Sequence, residues 1–125
     1  MAKYVFPNVE PIRPGYDFQM RLQFPQDLWD AQEMASGRLV AQFRSAVPGP
    51  VLFEADTLAL TIQREAPRTL AFFLSEAATK PFAASTIVVF DIARFDGLET
   101  GSDSSRIVLD KVIWPVLKTV TRDVV

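Results

Sequence analysis

The chain has 125 residues, of which 49% are hydrophobic and 22% charged, a balance typical of one globular domain rather than a disordered chain. Thirteen basic residues oppose fifteen acidic residues, and because no basic stripe runs along the chain we expect no nucleic-acid binding. The absence of cysteine excludes disulfides and thiolate zinc sites, and the absence of histidine removes the commonest metal ligand and general base. We expect neither a signal peptide nor a membrane span, because no apolar run is long enough.

The first segment is predicted to be extended, because Pro7, Pro11 and Pro14 fix φ and remove backbone donors. The stretch AKYVF could pair only at the edge of a sheet. We treat residues 1–14 as an extended N-terminal arm, for which two interpretations stay open. The arm is either a frayed terminus or a segment that orders against a neighbouring subunit.

Alternation of apolar and polar residues then predicts a half-buried antiparallel strand over residues 17–24, entered from Gly15. Its predicted inward side chains are Phe18, Met20, Leu22 and Phe24. The next segment, PQDLWDAQEMASG, has a proline near its start, early acidic residues and a glycine at its end. These signals predict a short helix within residues 25–37, with Leu28, Ala31 and Ala35 on one face.

Strand patterns dominate the remainder of the chain. The predicted strands are 38–44, 51–56, 57–63, 69–75, 85–96 and 106–118, with Leu58, Leu60 and Ile62 in phase in the third of these. Residues 75–82 are predicted to form one helical turn that Ser75 caps and Pro81 stops. About seven short strands without βαβ alternation predict an all-β antiparallel β-sandwich over residues 15–118, followed by a C-terminal tail over residues 119–125.

Candidate chemistry is sparse. The helix carboxylates Asp27, Asp30 and Glu33 are expected near a helix N-terminus from the macrodipole alone. The acidic loop 96–103 matches no calcium-loop template, and whether it binds a cation stays open. The serines have no histidine to activate them, and no glycine-rich phosphate loop is present. We therefore expect no enzyme and no cofactor.

A resemblance arises from the order of five motifs rather than from any one of them. The motifs are GYDFQMRLQF, ASGRLVAQFRS, LAFFLSEAAT, VVFDIARFDG and RIVLDKVIWPVLKTVTR, and they cover about residues 15 to 122. In this order they resemble a β-sandwich domain of structural proteins in tailed phages and phage-like particles, whose relatives are immunoglobulin-like baseplate and tail domains. There are two departures: residues 25–32 look inserted, and Asp110 stands where the family often has glycine.

The resemblance implies a structural virion protein: a tail, baseplate, neck or fibre-attachment subunit that is assembled in the host cytoplasm and located in the virion. Its implied partners are other virion structural proteins and further copies of itself, contacted through the arm and the sheet edges. A capsid decoration protein is one alternative. Aromatic side chains taken to be exposed are the interface candidates, since aromatic residues dominate interface cores: Tyr4, Phe6, Trp29 and Trp114.

A carbohydrate-binding β-sandwich module is the alternative from a different class. It would present a row of aromatic side chains on one sheet face, and Trp29 or Trp114 could stack on a sugar. The aromatic residues of this chain lie largely in phase with predicted core positions, which disfavours that alternative.

Overall fold

Two β-sheets packed face to face form the protein, and this confirms the predicted all-β sandwich. The structure is a computed structural model that describes residues 4–5, 10–46, 48–84, 87–96 and 105–117. Its strands are β1 (Tyr4–Val5), β2 (Phe18–Gln23), β3 (Arg38–Arg44), β4 (Phe53–Asp56), β5 (Ile62–Glu65), β6 (Thr69–Leu74), β7 (Ile87–Phe95) and β8 (Ser105–Pro115). Its two helices are α1 (Gln26–Ala31) and α2 (Glu76–Thr79), the second of which runs into a 3-10 turn, Lys80–Ala84.

One sheet has three strands in the order β2-β6-β5, and the other has five in the order β1-β8-β7-β3-β4. Neighbouring strands are antiparallel except β1, which pairs parallel with β8 through Tyr4 and Val5. Tyr4 and Val5 of the stretch AKYVF therefore pair at the edge of the sheet, as predicted.

The core lies between the sheets and is centred on Phe43 of β3, which is fully buried. Its ring centroid lies 4.4 Å from that of Phe90 on β7 and 6.2 Å from that of Phe72 on the opposite sheet. The predicted inward face of β2 is largely confirmed, since Met20 and Leu22 are buried, whereas Phe18 is only half-buried. Burial of each such large side chain contributes roughly 1.5–3 kcal/mol.

The last residues of the predicted arm belong to the sandwich of their own chain. Ile12 is fully buried, donates to the Pro115 carbonyl at 3.0 Å and accepts from the Leu117 N–H at 2.8 Å. The indole of Trp114 donates to the Glu10 carbonyl at 2.8 Å. Residues 6–9 and the predicted tail lie outside the described residues, so the arm's contact with a neighbouring subunit stays a prediction.

The predicted helix face is correct only for Leu28, which packs against the core. Helix α1 ends at Ala31, which is exposed, as is Ala35. The buried residues of this segment are Trp29 and Met34 instead. For Ala35 the reason is that the chain leaves the helix after six residues and turns through Glu33, whose φ is 55°, so the 3.6-residue spacing no longer holds there.

The strand predicted over residues 57–63 is also wrong in its first half, which is a turn. Leu58 and Leu60 are 52% and 65% exposed, and only Ile62 of the predicted in-phase set is buried. The carboxylate of Asp56 accepts from the Leu58 N–H at 2.9 Å, and the Asp56 N–H donates to Thr61 Oγ1 at 2.9 Å. These side-chain bonds give the backbone a local alternative to a sheet ladder.

Helix α2 begins as predicted but does not end as predicted. Ser75 Oγ accepts from the Ala78 N–H at 3.2 Å, which confirms the cap. Pro81 does not stop the helical segment, because the chain continues through it as the 3-10 turn. Proline is tolerated in the first turn of a helical segment, where its missing N–H has no intrahelical partner.

Candidate functional site

The tryptophans chosen as interface candidates are buried inside the subunit, so their expected exposure is wrong. Trp29 is 9% exposed and packs against the ring of Phe24, and Trp114 is 3% exposed and meets Phe18 edge to face. Tyr4 lies in β1, but its side chain, like all of Phe6, lies outside the described residues. Neither tryptophan is available as a surface anchor, because both supply packing between elements of one chain.

The acidic loop is described only at its first residue, Asp96, which pairs with Arg94. Glu33 of the predicted helix carboxylates pairs with Arg106 at 3.0 Å. Within the described ranges, no three acidic side chains form a group that could hold a metal ion. Because Glu99 and Asp103 lie outside those ranges, the question of a cation at loop 96–103 stays open.

A concavity of about 350 Å³ lies on the outer face of the five-stranded sheet. It is formed by outward-facing residues of four adjacent strands, because alternate side chains of each strand point to the same face. The lining residues are Arg38, Val40, Gln42, Glu54, Asp91, Ala93, Phe95 and Ile107. Half of them are apolar, so this concavity, which we call the outer-face concavity, combines an apolar wall with charged groups.

One ion pair at the outer-face concavity, between Arg38 and Asp56, is formed within this chain. Arg38 Nε lies 3.1 Å from Asp56 Oδ1 and Nη2 lies 2.5 Å from Oδ2, with both residues 9% exposed. This contact with Arg38 holds the pKa of the Asp56 carboxyl below its usual value and raises the pKa of Arg38 itself. The guanidinium carbon also lies 5.7 Å from the centroid of the Phe95 ring. The charge of Arg38 is thus neutralised within the sheet.

A hydrogen-bonded row on β3 and β4 occupies a second part of the outer-face concavity. Gln42 Nε2 donates to Glu54 Oε2 at 2.9 Å, while Gln42 Oε1 accepts from Arg44 Nη2 at 2.8 Å. Arg44 Nε donates to the Gly49 carbonyl at 3.0 Å. These contacts direct Arg44 toward the β3–β4 turn.

Asp91 differs from the other charged residues of the outer-face concavity. It is half-buried, and no described basic side chain lies within ion-pair distance of it. Burial raises the pKa of its carboxyl and the negative charge of Asp110 raises it further, while Arg44 and Lys111 act in the opposite direction. Asp91 is thus a carboxylate held partly out of water without a direct counter-charge.

A β-bulge in β8 lies opposite Asp91. The pairing shifts between Phe90↔Val112 and Ile92↔Leu109, so that Asp110 and Lys111 together oppose Asp91. Lys111 has a φ of 55°, a left-handed conformation that is uncommon without glycine. Bulges are over-represented beside functional sites, where they re-aim side chains.

Three arginines at the end of the sandwich hold the loop between α1 and β3, and sequence reasoning missed them. Arg64 donates to the carbonyls of Met34, Ser36 and Gly37, Arg94 to those of Glu33 and Ser36, and Arg106 to that of Gln32. Burial lowers the pKa of Arg64, and Arg94 adds to this effect. The sequence feature that could have revealed this cluster is a charged residue, Arg94, at an inward-facing position of β7. This cluster satisfies loop carbonyls and has a structural role.

Comparison with protein-family models, with curated proteins and with solved structures finds no match. Neither helix in the described part of the chain has the length and apolar character needed to cross a membrane. The fold and the site therefore define the chain as a β-sandwich domain with one mixed apolar and acidic concavity on its larger sheet.

Proposed function

We propose that this chain is a structural subunit of a tailed-phage or phage-like particle, located in the tail, baseplate, neck or fibre attachment. It assembles with other virion proteins and with further copies of itself. The observation that supports the proposal is that the five motifs of the family resemblance fall on β2, β3, β6 with α2, β7 and β8 of a two-sheet β-sandwich.

The strand order is compatible with the immunoglobulin-like arrangement that the proposal assumes. In such sandwiches strands B, E and D lie in one sheet, and C, F and G lie in the other. If β2 is strand B, then β3 to β8 become C, C′, D, E, F and G in chain order. The sheets are then B-E-D and G-F-C-C′, with β1 at the edge beside G. A rigid sandwich of this type is suited to holding shape, and its edges offer backbone groups for pairing with neighbours.

The carbohydrate-binding alternative loses its main support. It needs exposed aromatic side chains, and the residues it would use first, Trp29 and Trp114, are buried. Capsid decoration remains an alternative within the same class, because a sandwich of this kind could equally cover a capsid.

Deletion of the gene in a particle-producing strain tests the proposal. We expect particles that lack the tail or its distal structures in electron micrographs, and restoration by the wild-type gene. Complete tails with bare capsids that lose stability would favour the decoration alternative. Normal, fully infectious particles without the gene product would overturn both.

A further inference from the structure

We propose that the outer-face concavity is a docking site for a lysine or arginine side chain presented by a partner protein, with Asp91 as its counter-charge. The proposal depends on the geometry and the charges of this face and goes beyond the assignment to a particle, which used the arm and the sheet edges.

The apolar part of the concavity suits the methylene stem of a long basic side chain. Val40, Ala93 and Ile107 lie side by side in one row across β3, β7 and β8, and Phe95 flanks the row. Ile107 is 44% exposed, so this wall is accessible from solvent. Lysine and arginine bury their stems against apolar surface while the charged head finds a polar partner. A volume of about 350 Å³ accommodates one such side chain.

Charge complementarity indicates that the occupant carries a positive charge. Arg38 is already paired with Asp56, and Arg44 is directed to Gln42 and Gly49. The remaining groups that face Asp91 are Asp110 and Lys111 from β8 and, across Gln42, Glu54 from β4. Among the described residues, no basic side chain therefore lies within ion-pair distance of the Asp91 carboxylate, and a cation that entered the concavity would form a charge-assisted hydrogen bond with it in a partly desolvated place.

The bulge gives the site its geometry. A regular β8 would place one residue opposite Asp91, whereas the bulge places Asp110 and Lys111 there and holds Lys111 in a left-handed conformation. Non-glycine residues in that region are strained, and such strain is concentrated at ligand-binding and catalytic sites. The strained residue, Lys111, and the half-buried carboxylate of Asp91 lie opposite each other on neighbouring strands.

Titration of the isotope-labelled protein by NMR tests the site with two short peptides, acetyl-Ala-Lys-Ala-amide and its norleucine analogue, which has a similar stem without the charge. We expect the lysine peptide to shift the amide signals of Asp91, Ala93 and Ile107 with a dissociation constant of roughly 1–10 mM. Norleucine in the peptide, or Asp91→Asn in the protein, should each weaken binding roughly tenfold, as expected for loss of one charge-assisted hydrogen bond.

Matched variants separate the site from general attraction of a cation to an acidic protein. Asp30→Asn removes an exposed carboxylate on α1 and should leave lysine-peptide binding unchanged. Ile107→Thr should weaken it by removing part of the apolar wall. No shift at these amides, equal binding of the norleucine peptide, or unchanged binding to a folded Asp91→Asn variant would each overturn the proposal.

Discussion

The indole nitrogen of Trp114 donates a 2.8 Å hydrogen bond to the carbonyl oxygen of Glu10, and this bond joins residues 104 positions apart in the chain. It fixes Glu10 to the last strand, β8. Two residues later Ile12 enters the core and exchanges backbone hydrogen bonds with Pro115 and Leu117. The described part of the N-terminal arm therefore contacts the folded subunit in two ways: Tyr4 and Val5 pair at the edge of the sheet, and residues 10–14 bring Ile12 into the core.

Two truncations should behave differently because of these two kinds of contact. Deletion of residues 1–9 should leave the free energy of unfolding nearly unchanged apart from the loss of the short β1 pairing. Deletion of residues 1–14 removes Ile12 and should destabilise the subunit by about 3 kcal/mol, since loss of a buried isoleucine side chain alone has that magnitude. Urea unfolding followed by tryptophan fluorescence measures both. Equal stability of the two truncations would contradict the role given to Ile12.

The ion pair between Arg38 and Asp56 should be strongly coupled, because both residues are largely buried. Arg38→Met leaves a buried carboxylate without its partner and should cost about 3 kcal/mol of unfolding free energy. The double variant Arg38→Met with Asp56→Asn removes the stranded charge, keeps an oxygen to accept from the Leu58 N–H, and should recover part of that loss. A double variant less stable than Arg38→Met would refute the coupling.

The ion pair between Arg38 and Asp56 should also make the free energy of unfolding depend on pH in the acid range. Because Arg38 lowers the pKa of Asp56 in the folded state, the stabilisation is fully present above the unfolded-state pKa and is lost as the pH falls through the lowered folded-state pKa. The difference in unfolding free energy between wild type and Arg38→Met should therefore narrow from pH 7 toward acid. A difference that stays constant over this range would show that packing, rather than charge, is what Arg38 contributes.

Gly37 should tolerate neither alanine nor asparagine. Its φ is +80°, and a Cβ built there would lie 2.7 Å from the Phe95 carbonyl oxygen and 2.9 Å from the guanidinium carbon of Arg94. Gly37→Ala should destabilise by about 1–3 kcal/mol through strain. Asparagine adopts a left-handed backbone conformation more readily than alanine but has the same Cβ. Gly37→Asn therefore separates the cost of the backbone conformation from the cost of the steric contact made by the Cβ. If Gly37→Asn unfolds at the same denaturant concentration as wild type, the close approach of Phe95 is not limiting.

Asp91→Asn should stabilise the isolated subunit at neutral pH. The pKa of Asp91 is raised in the folded state by burial and by Asp110, so the ionised form is disfavoured by folding. The destabilisation is present above the folded-state pKa and disappears as the pH falls below the unfolded-state pKa. Thermal unfolding of wild type and variant should therefore differ at pH 7 and converge in acid. A variant less stable than wild type at pH 7 would indicate an unrecognised partner for this carboxylate.

Most of the sheet could be predicted from the sequence, because a half-buried strand imposes period-two burial over its whole length. Strands β2 and β7 follow that rule closely, and the alternate residues Leu39, Ala41 and Phe43 of β3 are all fully buried. The turn at residues 57–61 could not be predicted this way. Leu58 and Leu60 alternate as a strand would, and only the side-chain hydrogen bonds of Asp56 and Thr61, which need three-dimensional placement, decide the outcome.

The candidate site was less predictable than the fold. Alternation along β7, in which Phe90 and Ile92 are buried, is enough to place Asp91 on the outer face. The bulge opposite it depends on a register shift between β7 and β8 that no spacing in either strand reveals. Arg94 lies at an inward position, yet its partners are loop residues such as Glu33 and Ser36, about sixty positions earlier in the chain. Contacts of this kind arise only once the chain has folded.

Quantitative mass spectrometry of gradient-purified particles from a producing culture tests the central claim most directly. The account predicts peptides of this chain at a constant copy number per particle, matching a multiple of the rotational symmetry of the structure that contains it, as closed assemblies require. Recovery of the protein only in the particle-free lysate, at a level independent of particle yield, would contradict the assignment to a particle.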